Sequence, residues 1–189
     1  MVKQNVLIVL GSPRKNGNST ILANKCADGA REAGADVEVV ALQGLDIAPC
    51  NACDACIKKP GAGCVINDDM IPLYKKIEQA TAIVFATPTY WFNMSAQLKL
   101  FIDRAYALRP GKEKYAFSDK KVGIIMTYAD VDPFAAGAVN ALRSFQDICN
   151  FVGATIVGMV HGSAEQPGDI KKNEAIMKSA FDLGKKLAS

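Results

Sequence analysis

Short apolar runs alternate with longer amphipathic segments along the whole chain. Five of the runs are nearly continuous in hydrophobic residues, which is typical of parallel strands that are buried on both faces. These predicted strands are Asn5–Leu10, Asp36–Leu42, Thr81–Thr87, Lys121–Thr127 and Ala154–Val160. The segments between and after them predict helices, because apolar residues recur there at three-to-four spacing. The predicted helices are Ser19–Ala33, Asp69–Gln79, Ser95–Leu108, Pro133–Phe151 and Lys171–Leu187.

This alternation predicts an α/β fold. Five successive βα units with right-handed crossovers favour a doubly wound, five-stranded parallel sheet with helices on both faces. No repeat or linker divides residues 1–189, so we expect a single domain. One connection stands out, because residues 43–67 form a 25-residue stretch with no clear period. A loop of that length in a compact domain is usually functional or disordered.

The charge and hydropathy of the chain exclude several classes of protein. Twenty-two basic and nineteen acidic residues give a net charge of +3. That excess is too small to indicate a nucleic-acid or membrane partner. The longest apolar stretches, around Val6–Leu10 and Ala82–Ala86, are far shorter than a membrane span or a secretory core. We therefore expect a cytoplasmic location.

The first predicted strand leads into the sequence GSPRKNGNST at 11–20 and then into a helix. Backbone N–H groups converge at a helix start, the helix dipole favours negative charge, and hydroxyl and amide side chains add donors. The segment lacks both the Walker A and the GxGxxG pattern. It predicts a phosphate site, and the alternative is a Ser/Asn-rich turn with an ordinary cap.

Three successive aromatic residues, including the only tryptophan, follow the third predicted strand in the segment TPTYWFNMS at 87–95. They could form a stacking wall for a flat polycyclic ligand, or a hydrophobic patch at a dimer contact or in the core. The carboxyl ends of parallel strands meet at one edge, so proximity to the phosphate loop favours the ligand. The segment TYAD at 127–130 ends the fourth strand at the same edge, although Asp130 and Asp132 also suit helix caps.

Four of the six cysteines fall within fifteen positions in the pattern C-x2-C-x2-C-x7-C. In a reducing compartment such a cluster indicates metal or redox chemistry rather than structural disulfides. Three closely spaced thiolates can bind three corners of a cubane while the fourth closes from beyond a Gly/Pro turn, which predicts a [4Fe–4S] cluster. Thiol or disulfide chemistry and zinc remain alternatives. The four candidate ligands are Cys50, Cys53, Cys56 and Cys64.

The segments GSPRKNGNST and ATPTYWFNMSAQLKLFIDR, at 11–20 and 86–104, resemble the flavodoxin-like NADPH-dependent FMN reductases. The cysteine pattern resembles the iron–sulfur flavoprotein branch of that family. The resemblance implies non-covalent FMN with its phosphate on Ser12, Arg14, Asn18, Ser19 and Thr20. It also implies an isoalloxazine ring along Pro88, Thr89, Tyr90, Trp91, Phe92 and Asn93, with Tyr128 and Asp130 nearby.

The resemblance implies an FMN-dependent oxidoreductase that passes electrons from a reduced donor to a small acceptor. The donor would be NAD(P)H or a ferredoxin-like protein, and the acceptor a quinone, O2 or peroxide. Subunits of the family usually pair, so we expect a homodimer or homotetramer in which a neighbouring subunit helps to cover the flavin. Two alternatives stay open: a cluster-free NAD(P)H-dependent FMN or quinone reductase, and a metal-stabilised binding module without enzymatic activity.

Four further positions have predicted structural roles. We expect His161 in a loop after the fifth strand and Asp68 at a helix start. Cys26 and Cys149 fall in predicted helices, where a small buried hydrophobic side chain is the better interpretation.

Overall fold

The computed structural model describes residues 4–59, 61–109 and 114–189. Its five strands form one parallel sheet in the order β2-β1-β3-β4-β5. The strands are β1 (Asn5–Leu10), β2 (Asp36–Ala41), β3 (Ala82–Pro88), β4 (Lys121–Tyr128) and β5 (Thr155–Ser163). This is the flavodoxin-like order, whose switch point lies between β1 and β3, and it confirms the predicted fold class.

The helices cover both faces of the sheet. They are α1 (Asn18–Glu32), α2 (Ala55–Lys58), α3 (Met70–Gln79), α4 (Ala96–Arg104), α5 (Ala138–Val152) and α6 (Glu174–Ala188). Side chains of α1 and α6 pack with Val6 and Ile8 of β1 in one layer of the core. Those of α3, α4 and α5 pack with Leu7 and Val9 in the other layer. Alternate residues of a strand point to opposite faces, so β1 contributes to both layers.

The segment before α5 departs from the prediction of a helix that begins at Pro133. Asp132 Oδ1 accepts hydrogen bonds from the backbone N–H groups of Phe134 (2.7 Å) and Ala135 (2.9 Å), so it does act as a cap, but of a turn. Gly137 has a left-handed backbone with φ of 66°, which ends this turn, and α5 begins at the next residue.

Two other expectations are corrected in the second half of the chain. His161 lies within β5, where it pairs with Met126 of β4, because β5 continues as far as Ser163. The last predicted helix is split into a 3-10 turn at Asp169–Lys172 and α6. Among the described residues, no helix is long and apolar enough to cross a membrane.

Candidate active site

The loop between β1 and α1 is a narrow turn at the switch point of the sheet. The Gly11 N–H donates to the carbonyl of Ala86 (2.8 Å), and Ser12 Oγ accepts from the N–H of Arg14 (3.2 Å). A Cβ atom on Gly17 would lie only 2.8 Å from Ser12 Oγ, so the loop can close this tightly only with glycine there. Gly17 is also the N-cap of α1 and supplies no side-chain cap. The arrangement leaves the first turn of α1 suited to an anion.

The side chain of Asn18 has a role that sequence reasoning missed. Its Nδ2 donates to the carbonyls of Ala164 (3.2 Å) and Gln166 (3.0 Å), and its Oδ1 accepts from the N–H of Gly168 (2.8 Å). The side-chain amide therefore fixes the loop after β5. Only the backbone N–H of Asn18 is left to donate to a phosphate. Of the other predicted phosphate ligands, Arg14 is exposed, and three hydroxyl residues are buried at the loop. These three are Ser12, Ser19 and Thr20.

The aromatic segment after β3 is a tight two-residue turn. Tyr90 and Asn93 exchange backbone hydrogen bonds of 2.8 and 3.1 Å across it. Its central residues, Trp91 and Phe92, have φ of 45° and 62°, a left-handed conformation that turns of this kind usually give to Asn-Gly. Each non-glycine residue in this conformation destabilises the folded state by about 1–2 kcal/mol. Trp91 is 94% exposed, so little packing within the chain offsets that strain.

Three contacts hold this turn and the following Ser95 against the rest of the site. Asn140 Nδ2 of α5 donates to the Phe92 carbonyl (3.2 Å), and a Cβ on Gly137 would lie 2.4 Å from the Phe92 ring. Ser95, which caps α4, donates through Oγ to the carbonyl of Gly11 (2.7 Å). The aromatic turn is therefore tied both to α5 and to the phosphate loop.

A cleft of about 350 Å³ opens between the aromatic turn and the end of β4. It brings together predicted residues from two strand ends, whereas Pro88, Tyr90 and Asn93 do not line it. Its lining residues are Thr89, Trp91, Phe92, Tyr128, Ala129, Asp130, Ala135 and Ala136. Thr89 Oγ1 is buried and has no hydrogen-bond partner among the described residues. An apolar cleft with an aromatic wall and one unused hydroxyl group fits the ring of a flavin.

Tyr128, which lines the cleft, contacts His161 of β5. The Tyr128 hydroxyl lies 3.4 Å from His161 Nδ1. Burial raises the pKa of Tyr128, and nearby Asp132 raises it further, so the phenol keeps its proton at neutral pH. Asp130 is exposed, and its Oδ1 accepts from the N–H of Val131 (2.7 Å).

The four clustered cysteines line one small pocket of about 20 Å³ in the loop after β2. All are free thiols; Cys50 and Cys53 are exposed, and Cys56 and Cys64 are half-buried. Burial raises the pKa of Cys56 against the effect of a backbone hydrogen bond, and the other three thiols raise it further. No group of three or more His, Cys, Asp or Glu side chains within the described ranges could hold a metal ion in this arrangement. The set of four thiols at one pocket nevertheless fits the chemistry of an iron–sulfur centre.

Sequence reasoning also missed Arg104, which is buried at the end of α4 directly behind the cysteine pocket. Its guanidinium forms an ion pair with Asp68 through both carboxylate oxygens. The sequence signal that could have revealed the burial of Arg104 is its spacing, because it comes three residues after buried Phe101 on the apolar stripe of α4. Asp68 lies just before α3, at the helix start as expected, and its Oδ1 accepts a hydrogen bond from the N–H of Met70 (3.0 Å).

The Arg104–Asp68 pair is charged at neutral pH. Burial alone would raise the pKa of Asp68, but hydrogen bonds from Arg104 and from the backbone of Ala48 and Met70 bring that pKa below its ordinary value. Burial likewise would lower the pKa of Arg104, and the hydrogen bonds and charges around it raise that pKa instead.

The two remaining cysteines are buried in helices, as predicted. Burial raises the pKa of Cys26 to about 12 and that of Cys149 to about 11. Both thiols are therefore protonated at neutral pH and act as small apolar side chains.

Comparison with protein families agrees with the geometry of the site. The family model described as NADPH-dependent FMN reductase matches residues 4–166. The chain belongs to this family. It is therefore an FMN-dependent oxidoreductase, and the alternative of a binding module without enzymatic activity is not supported.

Individual relatives agree with this assignment. An iron-sulfur flavoprotein of Methanocaldococcus jannaschii is 30% identical over 191 residues, which cover 97% of this chain and 95% of the relative. One of Archaeoglobus fulgidus is 34% identical over 186 residues, covering 95% of this chain and 77% of the relative. The solved NAD(P)H:quinone oxidoreductase from Methanothermobacter marburgensis superposes with a TM-score of 0.73 at 20% identity, covering 100% of this chain and 98% of that chain. At that identity the likeness shows the fold alone.

Proposed function

We propose that this FMN reductase family member carries a [4Fe–4S] cluster on its four clustered cysteines beside its FMN. In this function it passes electrons from a reduced donor, NAD(P)H or a ferredoxin-like protein, to a small acceptor such as a quinone, O2 or peroxide. The observation that carries the proposal is that one chain combines two ligand-binding segments at the carboxyl edge of its sheet with a pocket lined by four cysteine side chains. The two segments are the phosphate loop after β1 and the aromatic turn after β3, and the cysteine pocket lies in the loop after β2, against the end of α4.

In the proposed FMN site, the phosphate lies at the start of α1. Buried hydroxyl groups, backbone N–H groups and exposed Arg14 would bind it, and the helix dipole would favour its charge. The hydroxyl groups are those of Ser12, Ser19 and Thr20, with the backbone of Asn18 between them.

The isoalloxazine ring would lie along the 88–93 segment, with Tyr128 and Asp130 beside it. Trp91 offers an exposed aromatic face, and the unpartnered Thr89 Oγ1 offers a hydrogen bond to a ring edge. When bound, a flavin can exchange two electrons together or one at a time, and an iron–sulfur centre exchanges single electrons. The chain itself would position the two groups, and it holds a phenolic proton on Tyr128 at the cleft.

The cluster has support from the donor set and from the relatives. Four thiols line one pocket. A redox dithiol would need only two of them, and a zinc site usually takes its cysteines from two separated CxxC motifs, which this spacing does not provide. Two relatives that match nearly all of this chain are named iron-sulfur flavoproteins.

A second candidate function is a cluster-free NAD(P)H-dependent FMN or quinone reductase. The observation that favours it is the absence, in the described parts of the chain, of three ligands close enough to hold a metal ion. In this function the cysteine loop would act through its thiols or not at all.

One experiment separates the two functions. Protein purified anaerobically is assayed for its visible spectrum, iron and acid-labile sulfide, alongside the variants Cys53→Ser and Cys149→Ala. We expect flavin bands with a broad shoulder near ~400 nm and about four irons per chain in the wild type, and loss of iron but not FMN in Cys53→Ser. Cys149 is buried in α5 and does not line the pocket, so its variant should keep both groups. Flavin without iron, even after anaerobic reconstitution, would select the cluster-free reductase.

We also propose that a second subunit covers the cleft in a homodimer or homotetramer. Three large apolar side chains at or near the cleft are strongly exposed: Trp91 (94%), Val131 (86%) and Phe134 (78%). An exposed apolar patch of this kind commonly marks an interface. Light scattering on the purified protein measures the oligomer, and a strictly monomeric FMN-bound protein would contradict the proposal.

A further inference from the structure

We infer that Arg104 is a positioning residue for Cys64, which holds the Cys64 sulfur in the cysteine pocket and places a permanent positive charge beside it. Arg104 would thereby set both the iron content and the reduction potential of a centre built on the four cysteines. The part that concerns potential rests on the proposed cluster. The part that concerns the position of Cys64 can be tested in metal-free protein.

The guanidinium of Arg104 is buried together with its partner carboxylate. The side chain of Arg104 is 0% exposed and that of its partner Asp68 is 6% exposed. An arginine stays charged even when buried, and an unpaired buried charge would cost several kcal/mol. Asp68 supplies the countercharge through two N–H···O contacts, which fix the plane of the guanidinium as well as its place.

The ion pair of Arg104 and Asp68 lies between the two ends of the cysteine segment. Arg104 Nη1 donates to the carbonyl of Ala48 (2.8 Å), and Nη2 donates to the carbonyl of Ile66 (3.4 Å). Asp68 Oδ2 accepts from the N–H of Ala48 (2.9 Å). Ala48 and Ile66 flank the four cysteines, so one ion pair closes the loop without any contribution from a metal.

The guanidinium of Arg104 also contacts a cysteine sulfur. Arg104 Nη2 lies 3.5 Å from Cys64 Sγ, whereas Cys50 and Cys53 are exposed. The main chain at Arg104 is itself held, because the Tyr74 hydroxyl donates to its carbonyl (3.1 Å). Cys64 is therefore held by a rigid cationic donor.

A cation that donates to a ligand sulfur affects the two redox states of an iron–sulfur centre differently. The reduced state carries one more negative charge and gains more from the guanidinium, so the reduction potential rises. A purely structural Arg104 would change how much iron the protein binds but not the potential of the fraction that binds it. The potential thus separates the two roles.

The main experiment compares anaerobically reconstituted wild type with Arg104→Gln and Arg104→Lys, each first checked for folding by circular dichroism. Iron per chain and the midpoint potential are measured, the latter by redox titration followed by electron paramagnetic resonance. We expect less iron in both variants and a negative shift of potential that is larger for Gln than for Lys, since Lys retains the charge but not the planar fork. A potential equal to that of the wild type in both variants would overturn the inference.

The matched control is Lys99→Gln, which removes an exposed cation from the same helix. Lys99 pairs with Asp103 at 2.7 Å on the outer face of α4. We expect no change in iron content or potential, and a shift as large as that of Arg104→Gln would mean that any positive charge on α4 acts on the centre. Should Arg104→Gln not fold, Asp68→Asn keeps the arginine and removes its countercharge, and it should lower iron content through misplacement of Arg104.

A second measurement is made on metal-free protein that retains FMN. Alkylation of each cysteine is followed by mass spectrometry in the wild type and in Arg104→Lys. We expect Cys64 to react more slowly than exposed Cys50 in the wild type and at a similar rate in the variant. Equal rates in the wild type, unchanged by the substitution, would overturn the positioning role. If the wild type takes up no iron, the cluster proposal fails while this measurement still decides the place of Cys64.

Discussion

The FMN cleft lies at the carboxyl ends of β3 and β4, the cysteine pocket lies against the end of α4, and the two are held in place in different ways. The loops of the cleft are bonded back to strand ends by the main chain, as in Gly11 N–H to Ala86 (2.8 Å) and Thr89 N–H to Thr127 (2.7 Å). The cysteine segment is closed by the side chains of Arg104 and Asp68. The shape of the cleft therefore depends on the main chain of the sheet, whereas that of the cysteine pocket depends on one ion pair. A substitution should be able to disrupt either region and leave the other intact.

The largest expected effect is that of Asp68→Ala, which should destabilise the fold and leave FMN binding unchanged. Removal of one partner from a buried ion pair leaves an uncompensated charge and lowers the free energy of unfolding by about 3–5 kcal/mol. The FMN dissociation constant of the folded protein should stay the same, because none of the cleft-lining residues contacts the pair. Urea unfolding and flavin fluorescence titration measure the two quantities.

Asp103→Ala is the control for this variant, since it breaks an exposed pair on the same helix. It should change the free energy of unfolding by no more than about 0.5 kcal/mol. If Asp68→Ala released FMN from folded protein, the two regions would not be independent.

The same pair predicts a dependence of stability on pH. The pKa of Asp68 is lower in the folded chain than its ordinary value of about 3.9, so the pair adds stability above that pH. This contribution is lost as pH falls through the folded pKa. Urea unfolding from pH 7 to pH 3 should show the gap in stability between wild type and Asp68→Asn narrowing below about pH 4. A gap that is constant with pH would contradict the charged pair.

Gly17→Val in the phosphate loop should have the opposite effect: it should weaken FMN binding and leave the cysteine pocket unchanged. Its added Cβ would lie 2.8 Å from Ser12 Oγ and 3.3 Å from Arg14 Cβ, so the loop must open. We expect FMN affinity to fall at least about tenfold, or 1.4 kcal/mol, while iron content per chain is unchanged. Asn24→Val, on the exposed face of α1, is the control, and equal FMN affinity in both variants would remove the loop from the proposed site.

The smallest effects are expected from Trp91→Asn in the aromatic turn, which should raise the stability of the fold and lower the affinity for FMN. Asparagine tolerates the left-handed backbone, so the free energy of unfolding should rise by about 1 kcal/mol. Loss of the exposed ring should weaken FMN binding by about 1 kcal/mol, or about fivefold. Trp91→Phe keeps both the strain and a ring and should change neither quantity much. An unchanged FMN dissociation constant in Trp91→Asn would remove the aromatic wall from the proposed site.

The sequence by itself determined the order of the strands and main helices along the chain. It also determined which loops lie at the carboxyl edge of the sheet. Apolar periodicity acts over a few neighbouring residues, and handedness rules then restrict how βα units connect. The glycines at 11 and 17 and the four cysteines could likewise be recognised from local pattern alone.

Only the tertiary structure decided which groups these residues contact. The Asn18 amide bonds to a loop about 150 residues away in the chain, and Arg104 pairs with a carboxylate 36 residues before it. Gly137, against the Phe92 ring, delays the start of α5, and the extension of β5 places His161 beside Tyr128. Hydrogen bonds and ion pairs are specific to partners at a distance of about 3 Å, and a local pattern carries no information about which distant segment reaches that distance.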